Sequence, residues 1–294
     1  MKKSILHNIW GHNLMVFGAA FFKYASLQVG YLSPFLGSFS RVLINMLVAL
    51  GLGYAIKKGS ILGKNKKLLL VWGVLGAVTV TLFFQALAYV GVGVASFLLT
   101  TSGALMVFLS PLISKKMPPP LQISAAILCV CGALCLSPSS MEVNSYLGIV
   151  FGLFAALSAA GAYLIVGSKM KDESPVSLMF YWSVVGVAVH LFQLPFMNID
   201  YNLGPQVLWL VFLASFLASV GQYWVNMSYQ CKGNWVIGLV SYLGCITGLL
   251  IDQIWLGIAV EPMQMFGVFV IMTANGVLLL PKDLKLTALG KRSV

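Results

Sequence analysis

Apolar residues run along this chain in long stretches, broken at intervals by short polar segments. Ten stretches stand out, at 8–27, 34–56, 67–89, 94–114, 121–137, 145–167, 175–196, 205–229, 234–256 and 262–280. A hydrocarbon core of about 30 Å needs about 20 helical residues at 1.5 Å each, so every stretch is a candidate span. Prolines sit at the ends, at Pro34, Pro120, Pro138, Pro175, Pro205, Pro262 and Pro281, where a ring without an N–H is tolerated. The pattern predicts an all-α integral membrane protein of about ten transmembrane helices.

Composition removes the alternatives. Of 294 residues 60% are apolar and only 9% charged, against about 25% charged in a soluble domain. A water-soluble globule, a disordered chain and a coiled coil are excluded. The net charge of +11 acquires its meaning from position. With ten spans, Lys2, Lys3, Lys57, Lys58, Lys64, Lys66, Lys67, Lys115 and Lys116 share one side with Lys169, Lys171, Lys232 and the basic C-terminal segment. Glu142, Asp200 and Glu261 fall on the other side. Basic loops face the cytoplasm, so both termini are expected there, and the first helix reads as retained rather than cleaved as a signal peptide. The positive charge faces anionic lipid, and no nucleic-acid partner is implied.

Shifted on itself by about 140 residues, the chain repeats. Gly11 meets Gly152, Ser33-Pro34 meets Ser174-Pro175 with Phe39 over Phe180, and Phe83-Phe84 and Tyr89 meet Tyr223-Trp224 and Tyr229. Gly93 falls over Gly233, and Gln122 over Gln264 two residues out of step. Five spans per copy is an odd number, so the second copy enters the membrane from the opposite side. Two inverted five-helix repeats are expected, at 1–140 and 141–294. Such halves can exchange shapes around a central site, which is the argument for transport.

In these features the chain resembles the drug/metabolite transporter superfamily, specifically its EamA-type ten-helix transporters. The resemblance runs through Phe17-Gly18 to Lys23, Ser33-Pro34, Arg41, Ala88-Tyr89 to Gly93 and Gln122 to Gly132. It continues through Ser174-Pro175 and Tyr229. The family often has tryptophan where Phe17 stands and a glutamate before the fifth and tenth helices. Glu261 fits the latter, and Pro118-Pro119-Pro120 replaces the former. The resemblance implies movement of amino acids, nucleosides or related metabolites, S-adenosylmethionine among them, across a bacterial plasma (inner) membrane.

Polar residues inside apolar stretches are the candidate site. Lys23 either snorkels to the interface or joins Arg41 in attracting a substrate carboxylate. Arg41 lies about seven residues into the second span, with Ser38 and Asn45 on its face; it either clamps helix-end carbonyls or binds that carboxylate in a bidentate fork. Asn234, Gly238, Ser241, Cys245, Gly248 and Asp252 form one face of small and polar residues, suited to close packing or to a cavity wall. Asp252 pairs with Lys23 or Arg41, receives a substrate amine, or sits at the interface. Gln85 and Tyr89 of the third span, with Gln222 and Asn226 of the eighth, offer amides beside aromatic rings. Thr100-Thr101-Ser102-Gly103 interrupts the fourth span near mid-membrane, with Tyr242 as the counterpart of Ser102 in the ninth. His190 and Gln193 share a face that is packed or pore-lining.

Cys129, Cys131, Cys135, Cys231 and Cys245 show neither zinc spacing nor a CxxC, and no HExxH is present. Neither metal nor cofactor is expected. The reading is a secondary transporter, not an enzyme, working as monomer or homodimer on a small-molecule substrate in a lipid bilayer. The solute is an amino-acid-type zwitterion, S-adenosylmethionine or a related nucleoside amino acid taken by exchange being the specific candidate. A cationic drug exporter is the alternative within transport. A membrane-embedded lipid enzyme would need paired acids or a His/Asp cluster that this chain lacks.

Overall fold

A computed structural model describes residues 2–56, 61–115, 117–135, 143–196, 203–231, 237 and 240–279. They form eleven α-helices: α1 (Lys2–Gln28), α2 (Pro34–Ile56), α3 (Lys66–Tyr89), α4 (Val92–Thr100), α5 (Ser102–Ser114), α6 (Pro120–Leu134), α7 (Val143–Lys169), α8 (Pro175–Gln193), α9 (Pro205–Cys231), α10 (Leu243–Ile254) and α11 (Pro262–Leu279). Helices α4 and α5 are two pieces of one apolar stretch, and among the described residues six stretches are long and apolar enough to cross a membrane, with three shorter apolar helices beside them. Lys57, Lys58, Lys116, Lys232, Glu142, Asp200, Gly233, Asn234, Gly238 and the C-terminal basic residues lie outside the described residues, as does the boundary between residues 140 and 141.

Local chemistry sets the helix ends. Asn65 caps α3 by accepting the Leu68 N–H at 3.2 Å, and Ser174 caps α8 by accepting the Val176 N–H at 3.2 Å, with Pro175 as the first helical residue. The break between α4 and α5 falls at Thr101, inside the Thr/Ser/Gly run that the sequence singles out. Its partner break lies at Tyr242, which begins α10.

Helix pairing carries the symmetry of two inverted halves. Helix α1 packs on α9 as α7 packs on α3, and α8 packs on α3 as α2 packs on α9. Three pairs join equivalent spans: α2 with α8, α4 with α10, and α6 with α11. A two-fold axis in the membrane plane requires an equivalent pair to be antiparallel, and α2 with α8 is: Ser38 meets His190, Val42 meets Gly186, and Asn45 meets Ser183. The register there is 141 residues, from Pro34 to Pro175. It sends the contact of Val42 with Gly186 onto that of Ser183 with Asn45.

The α1–α9 contact is backbone against backbone. A Cβ added to Gly221 would stand 2.5 Å from the Gly11 carbonyl, and one added to Gly18 would stand 2.5 Å from that of Ala214. Small residues allow this approach where no hydrophobic force drives helices together in lipid. At one end of the bundle, beside Lys64, Lys66 and Lys67, the Glu173 carboxylate accepts the backbone N–H groups of Lys64 and Asn65 at 2.9 and 2.6 Å. Gln230, at the end of α9, donates to the Glu173 carbonyl at 2.6 Å.

Candidate functional site

At the level where the halves meet, a central cavity opens between α1, α2, α3, α4, α7, α8 and α9, the empty space there and at its mouth together being about 900 Å³. Its wall is largely apolar and carries the rings of Trp72, Phe83, Phe84, Tyr163 and Trp182. The polar groups are few: His12, Arg41, Thr79, Ser96, Thr100 and Gln222. Among the described residues no carboxylate lines it.

Arg41 is the fixed cation of this wall and is 4% exposed. It extends from α2 across the bundle, donating from Nη1 to Ser219 Oγ at 2.9 Å and from Nη2 to the Ala218 carbonyl at 2.8 Å. Asn45, one turn along, offers Oδ1 at 3.5 Å and is itself held by Ser183 and the Met179 carbonyl. The guanidinium lies 4.9 Å above the Trp182 ring, within cation–π range. All these partners are neutral, so the positive charge is solvated but not cancelled.

The aromatic side is a set of interlocked rings. Tyr163 stacks on Tyr229 at 4.2 Å with 11° between planes, and Trp72 meets Tyr163 at 5.8 Å while its Nε1–H donates to the Leu178 carbonyl at 2.8 Å. Nδ1 of His12 lies 3.1 Å from the Asn8 carbonyl. A carbonyl only accepts, so Nδ1 carries the hydrogen and Nε2 of the neutral ring is an acceptor.

Of the ten candidate residues, Arg41, Thr100 and Gln222 reach this wall. Asn45 stands behind Arg41, and Asn226 is fully buried behind Gln222, whose amide donates to it at 2.9 Å. Gln85 and Tyr89 lie off the wall; the Tyr89 ring stacks on Phe151 at 6.2 Å and is 39% exposed. Tyr242 borders a separate apolar space of about 230 Å³ beside Phe97, between α4, α10 and α11.

Lys23 and Asp252 also lie away from the cavity, on the turn joining α3 to α4. Lys23 Nζ donates to the carbonyls of Leu87 and Val90 at 3.0 and 3.3 Å, while Asp252 accepts the N–H groups of Val92 and Gly93 at 3.0 and 2.6 Å. A cation at a helix C-terminus and an anion at the next N-terminus complement both dipoles, and each side chain feels the other's charge. Together they staple α1 and α10 to one turn. The described part of the small-residue face on α10 is packed: Ser241 donates to Asn8, Cys245 lies 3.0 Å from Thr100 Oγ1, and Gly248 faces the Gly93 backbone. His190 is packed too, its Nε2 2.7 Å from Ser38 Oγ.

His12, Trp72, Tyr163 and Trp182 are the wall residues that sequence reasoning does not single out. Trp182 alone had a signal, since a shift of 141 residues places it opposite Arg41.

Among the described residues, helices paired as inverted halves surround a central cavity, an architecture suited to alternating access. Residues 8–137 match the EamA-like transporter family. An uncharacterised transporter of Helicobacter pylori is 24% identical over 93% of this chain and 98% of its own. The pseudopaline exporter CntI of Pseudomonas aeruginosa is 27% identical over 61% of this chain and 63% of its own. A protein of known crystal structure shares the fold, with a TM-score of 0.67 at 17% identity over 95% of this chain and 98% of that one. These likenesses support a place in the drug/metabolite transporter superfamily.

Proposed function

We propose that the protein is a secondary transporter that moves a small carboxylate-bearing organic solute by alternating access, and that it is not an enzyme. The observation that carries this reading is Arg41: a buried guanidinium on the cavity wall, with neutral partners and, among the described residues, no carboxylate on that wall. A planar fork of that kind suits a carboxylate. An amino-acid-type zwitterion would place its carboxylate on Arg41 and its ammonium over the aromatic faces or on His12 Nε2. S-adenosylmethionine, taken by exchange, would add an adenine ring to stack among Trp72, Tyr163 and Phe83.

A cationic drug exporter would need an acid-lined cavity, and the fixed arginine opposes it. The transporter would sit in an inner membrane as monomer or homodimer, with its termini on the basic side and its repeats meeting near residue 140. Export is a direction to test, given the relative named as an exporter.

The deciding experiment is an unfolding-temperature screen of purified protein against amino acids, nucleoside amino acids and organic cations, followed by uptake into proteoliposomes. A ligand that binds the folded state stabilises it by an amount that grows with the logarithm of its concentration over Kd. Stabilisation by carboxylates and its loss on blocking that group are expected. Stabilisation by cations alone would overturn the reading.

A further inference from the structure

Trp182 lines the cavity, is 4% exposed, and its indole N–H has no hydrogen-bond partner among the described residues. A buried donor left unpaired carries a cost that native structures avoid unless another state uses the group. The symmetry of the bundle says what that use is.

Position 182 in α8 is the counterpart of position 41 in α2, in the register set by Pro34 and Pro175. Helices α3 and α9 run in a register of 140 residues, from Phe83 to Tyr223 and from Tyr89 to Tyr229. The residue equivalent to Ser219 is therefore Thr79. The local bonding is the same at both: Ser219 Oγ donates to the Ser215 carbonyl at 2.7 Å, and Thr79 Oγ1 donates to the Leu75 carbonyl, its equivalent, at 2.8 Å. Each hydroxyl is thereby turned to offer a lone pair. Ser219 gives its lone pair to Arg41. Thr79, also on the cavity wall, accepts no bond among the described residues.

The edge of the Trp182 ring stops short of Thr79. It lies against Gly76, where an added Cβ would come within 2.1 Å of Cδ1 and 2.5 Å of Nε1. Gly76 precedes Thr79 by three residues, about 4.5 Å of helix at 1.5 Å each. Arg41 has already reached the matching position on α9.

We infer that Trp182 and Thr79 form the reciprocal contact of the opposite-facing conformation: α8 slides along α3 until the indole N–H donates to Thr79 Oγ1, as α2 now reaches α9 through Arg41 and Ser219. When inverted halves exchange shapes, each takes up the contacts its counterpart held. The inference rests on the transport reading in needing two conformations.

The test reads conformation without a substrate. A cysteine is placed on the cavity wall by Ala162→Cys in a chain whose five own cysteines are replaced, and is labelled with a membrane-impermeant maleimide from either face of sealed vesicles. Trp182→Phe keeps the ring beneath Arg41 and removes the N–H; Thr79→Val keeps the shape and removes the hydroxyl. Each is expected to shift the ratio of the two labelling rates by about 2- to 10-fold, both in the same direction. The double variant should shift it no further than either single one. An unchanged ratio in Trp182→Phe, additive shifts, or labelling from one face only in the parent chain would overturn the pairing. Uptake of carboxylate solutes by the same vesicles separates the two ideas. Uptake with a flat ratio defeats the pairing and leaves transport standing. A shifted ratio with no uptake defeats the proposed substrate and leaves the pairing.

Discussion

Arg41 lies 4.9 Å above the ring of Trp182, and the two residues occupy the same position in the two halves of the molecule. One copy of the repeat thus carries a planar cation where the other carries a planar aromatic, and the pair meets near the axis that relates them. A symmetric scaffold acquires its chemistry from this difference.

The shape of the cation matters as much as its charge. In Arg41→Lys the charge is kept, but the fork to Ser219 and the Ala218 carbonyl and the flat stack on Trp182 are lost. Uptake of carboxylate solutes is expected to fall at least tenfold in Arg41→Lys and to background in Arg41→Met. Equal uptake by Arg41→Lys and the parent chain would remove bidentate recognition from the account.

Lys23 and Asp252 are expected to behave differently, because their charges hold backbone rather than solute. Asp252→Asn and Lys23→Met should each lower the unfolding temperature by an amount matching about 1–3 kcal/mol, the cost of stripping a buried group of its partner. The Kd of a stabilising solute should stay within twofold. A tenfold weaker Kd with an unchanged unfolding temperature would return both residues to the binding site.

At the basic end, the Glu173 carboxylate gathers the N–H groups of Lys64 and Asn65. Charge-assisted bonds of this kind are about twice as strong as neutral ones. Glu173→Ala should speed amide hydrogen exchange at Lys64 and Asn65 by about tenfold and leave the amides of α10 unchanged. Exchange that rises evenly along the chain would mean global destabilisation instead of a local latch.

Gly221 tests the α1–α9 seam. In Gly221→Ala the new methyl must displace the Gly11 backbone from 2.5 Å, and overpacking of that kind costs about 1–3 kcal/mol. A drop in unfolding temperature is expected, while Gly51→Ala, which meets nothing within 4 Å, serves as the silent control.

Much of this architecture is written in the sequence. Spans are legible because a membrane leaves long apolar runs, and the α4–α5 break is legible because Thr101 and its neighbours interrupt one. Arg41 stands out for the same reason: a guanidinium in an apolar stretch has few innocent explanations. Lys23 and Asp252 stand out equally, yet their partners are backbone groups on the α3–α4 turn, and no spacing in the chain reveals which helix end a long side chain will reach. Trp72, Tyr163 and Trp182 fail for the opposite reason. An aromatic in an apolar helix reads alike whether it meets lipid, a neighbour or a cavity, and only the pairing of α3, α7 and α8 decides.

The uncancelled charge of Arg41 has an electrical consequence. A solute that is a net monoanion would make the occupied carrier nearly neutral, while a zwitterion would leave the occupied and vacant carriers with the same positive charge in the field, where one charge across 100 mV is worth about 2.3 kcal/mol. Voltage should therefore act chiefly on the vacant carrier's return stroke when the solute is a monoanion, and on both strokes alike when it is a zwitterion.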